Sequence, residues 1–181
     1  MITRKELMWA RKNAAQYFKK AGIAITPQER RGIEVADFGL DDLKNTGLEI
    51  VVYVNTMRCC AKELVLFPHQ TCPEHRHPPI NRENSGKEET FRCRWGKIYL
   101  YVTGKKTKKP HSKAPRGSEK HYTVWHEIIL NQGEQYTLKP NTLHWFQAGP
   151  KGAVVSEFST KSIDEKDVFT DPHIKRATKI K

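Results

Sequence analysis

Apolar side chains recur at three- and four-residue spacing near the start of the chain: Leu7, Ala10, Ala14, Tyr17 and Phe18. That period puts them on one face of a helix running from Arg4 to Lys20, with Gly22 placed to end it. Thr26-Pro27-Gln28-Glu29 predicts a short second helix, with Thr26 as cap and Pro27 in the first turn. From Ile33 the texture changes to short β-rich runs: Glu49–Asn55, Glu63–Phe67, Glu89–Trp95, Ile98–Val102, Tyr122–Leu130, Glu134–Leu138, His144–Gln147 and Ala153–Phe158. Turn residues separate them, among them Asn131-Gln132-Gly133, Pro140-Asn141 and Gly149-Pro-Lys-Gly152. Many short strands after one helix predict a mainly β fold, a sandwich or barrel.

The 181 residues fit one domain and suffice for a full core without staples. We expect an N-terminal helical segment over 1–32, a β-barrel over 33–174 and a basic tail over 175–181. The longest apolar runs, Ile50–Val54 and Ile128–Leu130, have strand length, far short of the roughly 18 residues of a membrane helix. The opening Met-Ile-Thr-Arg-Lys-Glu lacks the apolar stretch of a signal peptide. Cys59, Cys60, Cys72 and Cys93 form no evenly spaced framework, so the expectation is a cytoplasmic protein with reduced thiols, away from membranes.

Thirty-two Lys and Arg against 20 Asp and Glu give a net charge of +12. Seven of the basic residues fall between Gly104 and Lys120, interspersed with two Gly and two Pro. With no interleaved aromatics and no helix-turn-helix or zinc-finger spacing, this stretch reads as a solvated loop, and nucleic acid is not an expected partner.

The densest chemistry is Cys72-Pro-Glu-His-Arg-His-Pro-Pro79. His75 and His77 are two apart, so in extended backbone both imidazoles leave the same side, a first step towards a divalent-metal site. In Glu89-Thr-Phe-Arg-Cys-Arg-Trp95, alternation turns Glu89, Phe91, Cys93 and Trp95 inward and the arginines outward. A buried carboxylate at 89 must then bind a cation or pair with a buried Lys or Arg. His144 enters a strand between apolar neighbours. Three imidazoles and a carboxylate suit Mn, Fe, Co, Ni or Zn, and an octahedral ion so held keeps about two open positions. A closed zinc site from Cys72, His75, His77 and Cys93 is the alternative, though it leaves Glu89 unexplained.

His-x-His, a Glu followed by six residues and Gly96, and a His eleven residues after Gly133 resemble the two metal motifs of the cupin superfamily. The segment Pro78–Glu88 reads as an inserted loop, and His69 stands where that motif usually has Gly. Long stretches resemble the D-lyxose isomerase family of sugar ketol-isomerases, from Gly22 to Ile174. They include Lys62-Glu-Leu-Val-Leu-Phe-Pro68, Glu89-Thr-Phe-Arg-Cys-Arg94, His121-Tyr-Thr-Val-Trp-His-Glu127 and Phe169-Thr-Asp-Pro172. The resemblance implies a cupin-type β-barrel (a double-stranded β-helix, or jelly roll) and a divalent ion on His75, His77, Glu89 and His144. It implies Mn2+ before Co2+ or another ion, a monosaccharide substrate and a homodimer.

An aldose–ketose isomerase must move a proton between C1 and C2. Lys62 shares a strand face with Leu64 and Leu66, so its ammonium is expected inside the barrel, on a sugar oxygen. Glu157, an isolated acid in an apolar strand, is expected to have a raised pKa and to serve as acid/base. Asp171, on a segment that could close over the site, is expected to bind and orient the sugar with Lys62. The rival readings are a cupin-type sugar-phosphate isomerase, a non-haem iron dioxygenase with the same ligands, and a non-catalytic sugar-binding cupin.

Overall fold

Thr3 and Thr26 start the two helices by the same device. Each hydroxyl accepts a hydrogen bond from the backbone N–H three residues on, and that residue's carboxylate, Glu6 or Glu29, accepts from the threonine N–H. The computed structural model describes residues 1–181. Helix α1 (Arg4–Lys20) and helix α2 (Pro27–Gly32) fall where the periodicity places them. Ala10, Ala14 and Phe18 of α1 bury against Val51, Val65 and Val154 on the outer face of the sheet.

Nine strands follow: β1 (Glu34–Ala36), β2 (Leu48–Asn55), β3 (Cys60–Leu66), β4 (Thr71–Arg76), β5 (Glu89–Val102), β6 (His126–Asn131), β7 (Gln135–Leu138), β8 (His144–Ser159) and β9 (Val168–Phe169). All are in one antiparallel sheet, organised by two long strands that pair along most of their length, β5 and β8. The second half of β8 pairs with β3 and its first half with β4, while β5 pairs with β7 and then β6. The sheet therefore folds over on itself at the middle of these strands. Gly96 and Gly152 mark that bend, with φ of 78° and 84°. A Cβ on Gly96 would lie 2.1 Å from the Gly152 carbonyl oxygen, so only glycine permits the two backbones to approach here.

This bend corrects the expected strand breaks. Glu89–Trp95 and Ile98–Val102 are one strand, and so are His144–Gln147 and Ala153–Phe158, because Gly149-Pro-Lys-Gly152 bends without ending the ladder. A bulge between Cys93 and Trp95 also reverses Trp95, expected inward. Its ring packs on the outer face, 5.4 Å from that of Tyr17. Of Tyr122–Leu130 only the part from His126 is strand. Tyr122 instead meets Trp145 edge to face, in a separate aromatic cluster with Tyr101.

Inside the fold lie Leu64, Leu66, Phe91, Leu100, Phe146 and Val155, from both halves of the sheet. Glu49 occupies the other layer, between sheet and α1. It is fully buried, Gln70 is its hydrogen-bond partner at 3.5 Å, and Oε2 has no partner. Burial pushes its carboxyl well above the ordinary range. The terminal residues expected as a free tail are tied down. Ile180 bridges to Ile2, and Arg176 reaches Glu34 and Asp164. The basic loop is likewise anchored, by His111 on Glu127 and by the Lys113 carbonyl, which accepts from Gln147.

Candidate active site and metal centre

Strand β4 carries His75, and His77 follows just past its end, held there by the Asn141 N–H on the His77 carbonyl. His144 opens β8 directly opposite His75, and Glu89 opens β5. The ligand nitrogens of His75, His77 and His144 lie within 4.8 Å of one another. Glu89 Oε1 is 3.0 Å from His77 Nε2 and 3.2 Å from His144 Nε2. The structure thus brings together all four residues expected to hold an ion, and all four are buried.

The orientation of the rings is set from behind. His75 Nδ1 is 2.8 Å from the Pro73 carbonyl and His144 Nδ1 is 2.9 Å from that of Thr142. His77 Nδ1 is 2.5 Å from Asp167. Each Nδ1 is therefore engaged, which directs Nε2 of His77 and His144 towards Glu89. Backbone and carboxylate partners of this kind fix tautomer and ring angle in metal sites. His144 Nε2 is buried with no hydrogen-bond partner, a position that a divalent ion would satisfy. The donor set, three imidazole nitrogens and a carboxylate oxygen, fits a first-row divalent ion. Of the alternative zinc set, Cys72 lines the cavity but Cys93 does not: its Sγ is turned to the Trp95 carbonyl.

Charge in the site is closely matched. Burial would raise the Glu89 carboxyl, but the Lys87 ammonium and the His77 imidazole, which also hydrogen-bonds it, hold it well below the carboxylate range. For His77 burial works downward, and Glu89 with Asp167 overcomes it, raising the imidazole to about 9. His75 goes the other way, pushed well below 6.5 by burial and by the neighbouring His144 and His77.

Three of the four, His75, His77 and Glu89, line a cavity, with about 430 Å³ of empty space including its mouth, together with Lys62, Glu157, Lys87, Asp164, Asp167 and Arg176; His144 stands behind them. Glu157 is not isolated, as the sequence suggested. Lys87 Nζ lies 2.5 Å from its Oε1 and 2.6 Å from Glu89 Oε2, and Ser159 Oγ donates to the same Oε1 at 3.2 Å. No hydrogen bond engages Oε2. Lys62 enters the barrel as expected, where Ser162 Oγ (2.9 Å) and Asp164 (3.1 Å) hold its ammonium. Asp171 lies outside this lining and accepts hydrogen bonds from the N–H and Nδ1 of His173.

Four cavity residues were not read from the sequence. Lys87 had a signal, because alternation run back from Glu89 puts 87 on the same face. Asp164, Asp167 and Arg176 had none: they reach the cavity from a single 3₁₀ turn and the irregular segments around it, whose path no periodicity reveals.

Residues 7–181 match the family model described as D-lyxose isomerase. The chain is 64% identical over 180 residues to the D-lyxose/D-mannose isomerase of Thermosediminibacter oceani, covering 99% of each. It is 60% identical over 167 residues to the D-lyxose ketol-isomerase of Cohnella laeviribosi, covering 92% of this chain and 91% of that one. Among solved structures, the L-ribose isomerase of Cellulomonas parahominis superposes with a TM-score of 0.83 at 18% identity, covering 99% of this chain and 98% of that one. The L-ribose isomerase of Acinetobacter sp. DL28, solved with L-ribose, gives 0.82 at 19%, with the same coverage. The fold is the cupin-type barrel expected from the sequence.

Proposed function

This chain belongs to the D-lyxose isomerase family, and from that membership we propose that it interconverts D-lyxose with D-xylulose, and D-mannose with D-fructose. One observation carries the reading furthest: three imidazoles converge on Glu89, and two of them, His75 and His77, line one cavity with Glu89 and a second carboxylate, Glu157. A divalent ion on His75, His77, Glu89 and His144 would supply polarisation of the sugar carbonyl and stabilise negative charge on the adjacent oxygens.

The remaining work belongs to this chain's side chains. Glu157 takes the C2 proton of the aldose on its unengaged Oε2 and returns it to C1 of the enediol, while the hydroxyl proton passes from O2 to O1. Lys87 and Ser159, both on Oε1, keep that carboxylate from turning. Lys62 and Asp164, already bonded to one another, offer a donor and an acceptor to the more distant hydroxyls. Asp171, outside the cavity, has no part in this proposal.

Every cation at the cavity has a carboxylate partner: Lys62 has Asp164, Lys87 has Glu89 and Glu157, and Arg176 has Glu34 and Asp164. No ammonium or guanidinium is left over for a phosphate, which favours a neutral sugar over a sugar phosphate. We take the ion to be Mn2+, the location to be the cytoplasm, where four free cysteines stay reduced, and the assembly to be a homodimer. An outward apolar row supports the dimer, with Phe158 50% and Val54 37% exposed on either side of Ala61.

The test is a chelator-stripped sample resupplied in turn with Mn2+, Co2+, Ni2+, Zn2+ or Fe2+. Each is assayed on D-lyxose, D-mannose, L-ribose and fructose 6-phosphate. Ketose from lyxose and mannose is expected. Preferential turnover of the phosphate, or oxygen consumption confined to Fe2+, would replace the proposal with one of its rivals.

A further inference from the structure

Asp171 is buried, and its surroundings are a second cluster of ligating groups. Its Oδ1 is 2.8 Å from His173 Nδ1 and 3.6 Å from His121 Nε2. The potential ligand atoms of all three residues lie within 4.8 Å of one another. A local turn explains His173, whose N–H also bonds Asp171 at 2.9 Å. It does not explain His121, which comes from the basic segment fifty residues earlier and stands beyond hydrogen-bonding distance.

That approach is built into the fold by Glu74. Its Oε2 accepts from the N–H groups of Thr123 (2.6 Å) and Val124 (3.0 Å), and its Oε1 from the hydroxyls of Thr123 (2.8 Å) and Thr170 (2.7 Å). The Glu74 carbonyl also accepts from the Thr170 N–H at 3.1 Å. One buried side chain therefore clamps Thr123 and Val124, two and three residues after His121, and Thr170, just before Asp171, on a common base. His121 is further fixed by a 3₁₀ turn, Glu119–His121. Asp171 Oδ2 takes no hydrogen bond, and the His173 side chain is 73% exposed, so the cluster opens to solvent.

We propose that His121, Asp171 and His173 form a second divalent-metal site, distinct from the centre at His75, His77, Glu89 and His144. Two imidazoles and one carboxylate, with water completing the shell, suit Zn2+, Ni2+ or Co2+ rather than Mg2+ or Ca2+. An ion there clips the basic segment to the C-terminal segment. That segment also carries Asp164, Asp167 and Phe169, which line the catalytic cavity. The ion acts as a staple on the cavity wall, outside the reaction.

Calorimetric titration of the chelator-stripped full chain with Zn2+ tests this without any reference to turnover. Two ions per chain are expected for the wild type, and one each for His121→Asn and His173→Asn. His144→Asn, which disables the first centre, should keep one ion that the His144→Asn/His173→Asn double variant loses. In parallel, Zn2+ should raise the melting temperature of His144→Asn and leave that of the double variant unchanged. A single ion on the wild type, or two on His173→Asn, would overturn the second site. Because the His173 side chain is 73% exposed and its only ring contact is with His121, its replacement leaves the fold intact. Failure to isomerise lyxose would bear on the proposed function alone.

Discussion

Replacing Lys87 by Met keeps the length and apolar stem of the side chain and deletes only its charge. The wild-type ammonium is 6% exposed and sits 2.6 Å from Glu89 and 2.5 Å from Glu157. Those two distances put the carboxylate oxygens no more than about 5 Å apart. At an effective dielectric of about 20 their repulsion, once unshielded, is about 3 kcal/mol. Stripping one partner from a buried ion pair typically costs about 3–5 kcal/mol, which agrees. The loss has a definite pH dependence. In the wild type the lysine helps hold Glu89 below its ordinary range, so the pairing stabilises the fold above about pH 4.5 and fades as pH falls through the folded value. In the variant one carboxylate can escape the repulsion by taking a proton, so the deficit is full at pH 8 and shrinks towards pH 5. Urea unfolding of the metal-free proteins measures it. With a slope of about 2 kcal/mol/M the midpoint should fall by about 1.5 M at pH 8 and by clearly less at pH 5. A shift below about 0.3 M at pH 8, or an equal loss at both pH values, would show that Lys87 contributes packing only.

Three further outcomes follow from the same geometry. Glu157→Gln should lower kcat for lyxose by about 10²–10⁴-fold while metal content stays at the wild-type level, as checked by elemental analysis; unchanged turnover would remove Glu157 from the proton transfer. His77, raised to about 9 in the metal-free protein, stabilises the fold fully below about pH 6.5 and loses that contribution as pH rises through 9. An ion needs the deprotonated ring, so calorimetry at pH 7.5 in buffers of different ionisation enthalpy should register release of about one proton per ion at this centre, and none would contradict it. Glu49, whose carboxyl burial raises, favours the protonated folded state, so wild-type stability should decline as pH rises above about 4.5. Glu49→Gln should flatten that decline and be the more stable protein at pH 8, read by unfolding at pH 6 and pH 8; a less stable variant at pH 8 would mean that the carboxylate has a partner.

Which parts of this molecule its sequence discloses follows from how local their determinants are. Helix α1 was legible because spacing and terminating glycine lie within twenty residues, and Glu89 because alternation with Phe91 and Cys93 fixes its face. The bend shared by β5 and β8 was not. A glycine pair that ends a strand and one that lets two strands fold over together look alike until Gly96 is set against Gly152. Trp95 went astray for a related reason, since one bulge residue inverts the alternation beyond it. His69, where the cupin motif has glycine, adopts φ of 61°, a left-handed conformation that histidine enters more readily than most residues with a side chain. Glu157 was singled out as the acid of its apolar strand but taken to be alone, because its partner Lys87 sits in a polar stretch that reads as an inserted loop. Asp171, expected on the sugar, lies outside the cavity lining, because a short acidic motif carried over from a resemblance says nothing of which way its segment turns.

The most direct examination is diffraction at the manganese edge from crystals loaded with Mn2+ and D-lyxose. The strongest anomalous peak should lie among the nitrogens of His75, His77 and His144 and a Glu89 oxygen, with sugar C2 about 3–3.5 Å from the free oxygen of Glu157. A principal ion bound elsewhere, or a sugar whose C2 faces away from Glu157, would contradict the account at its centre.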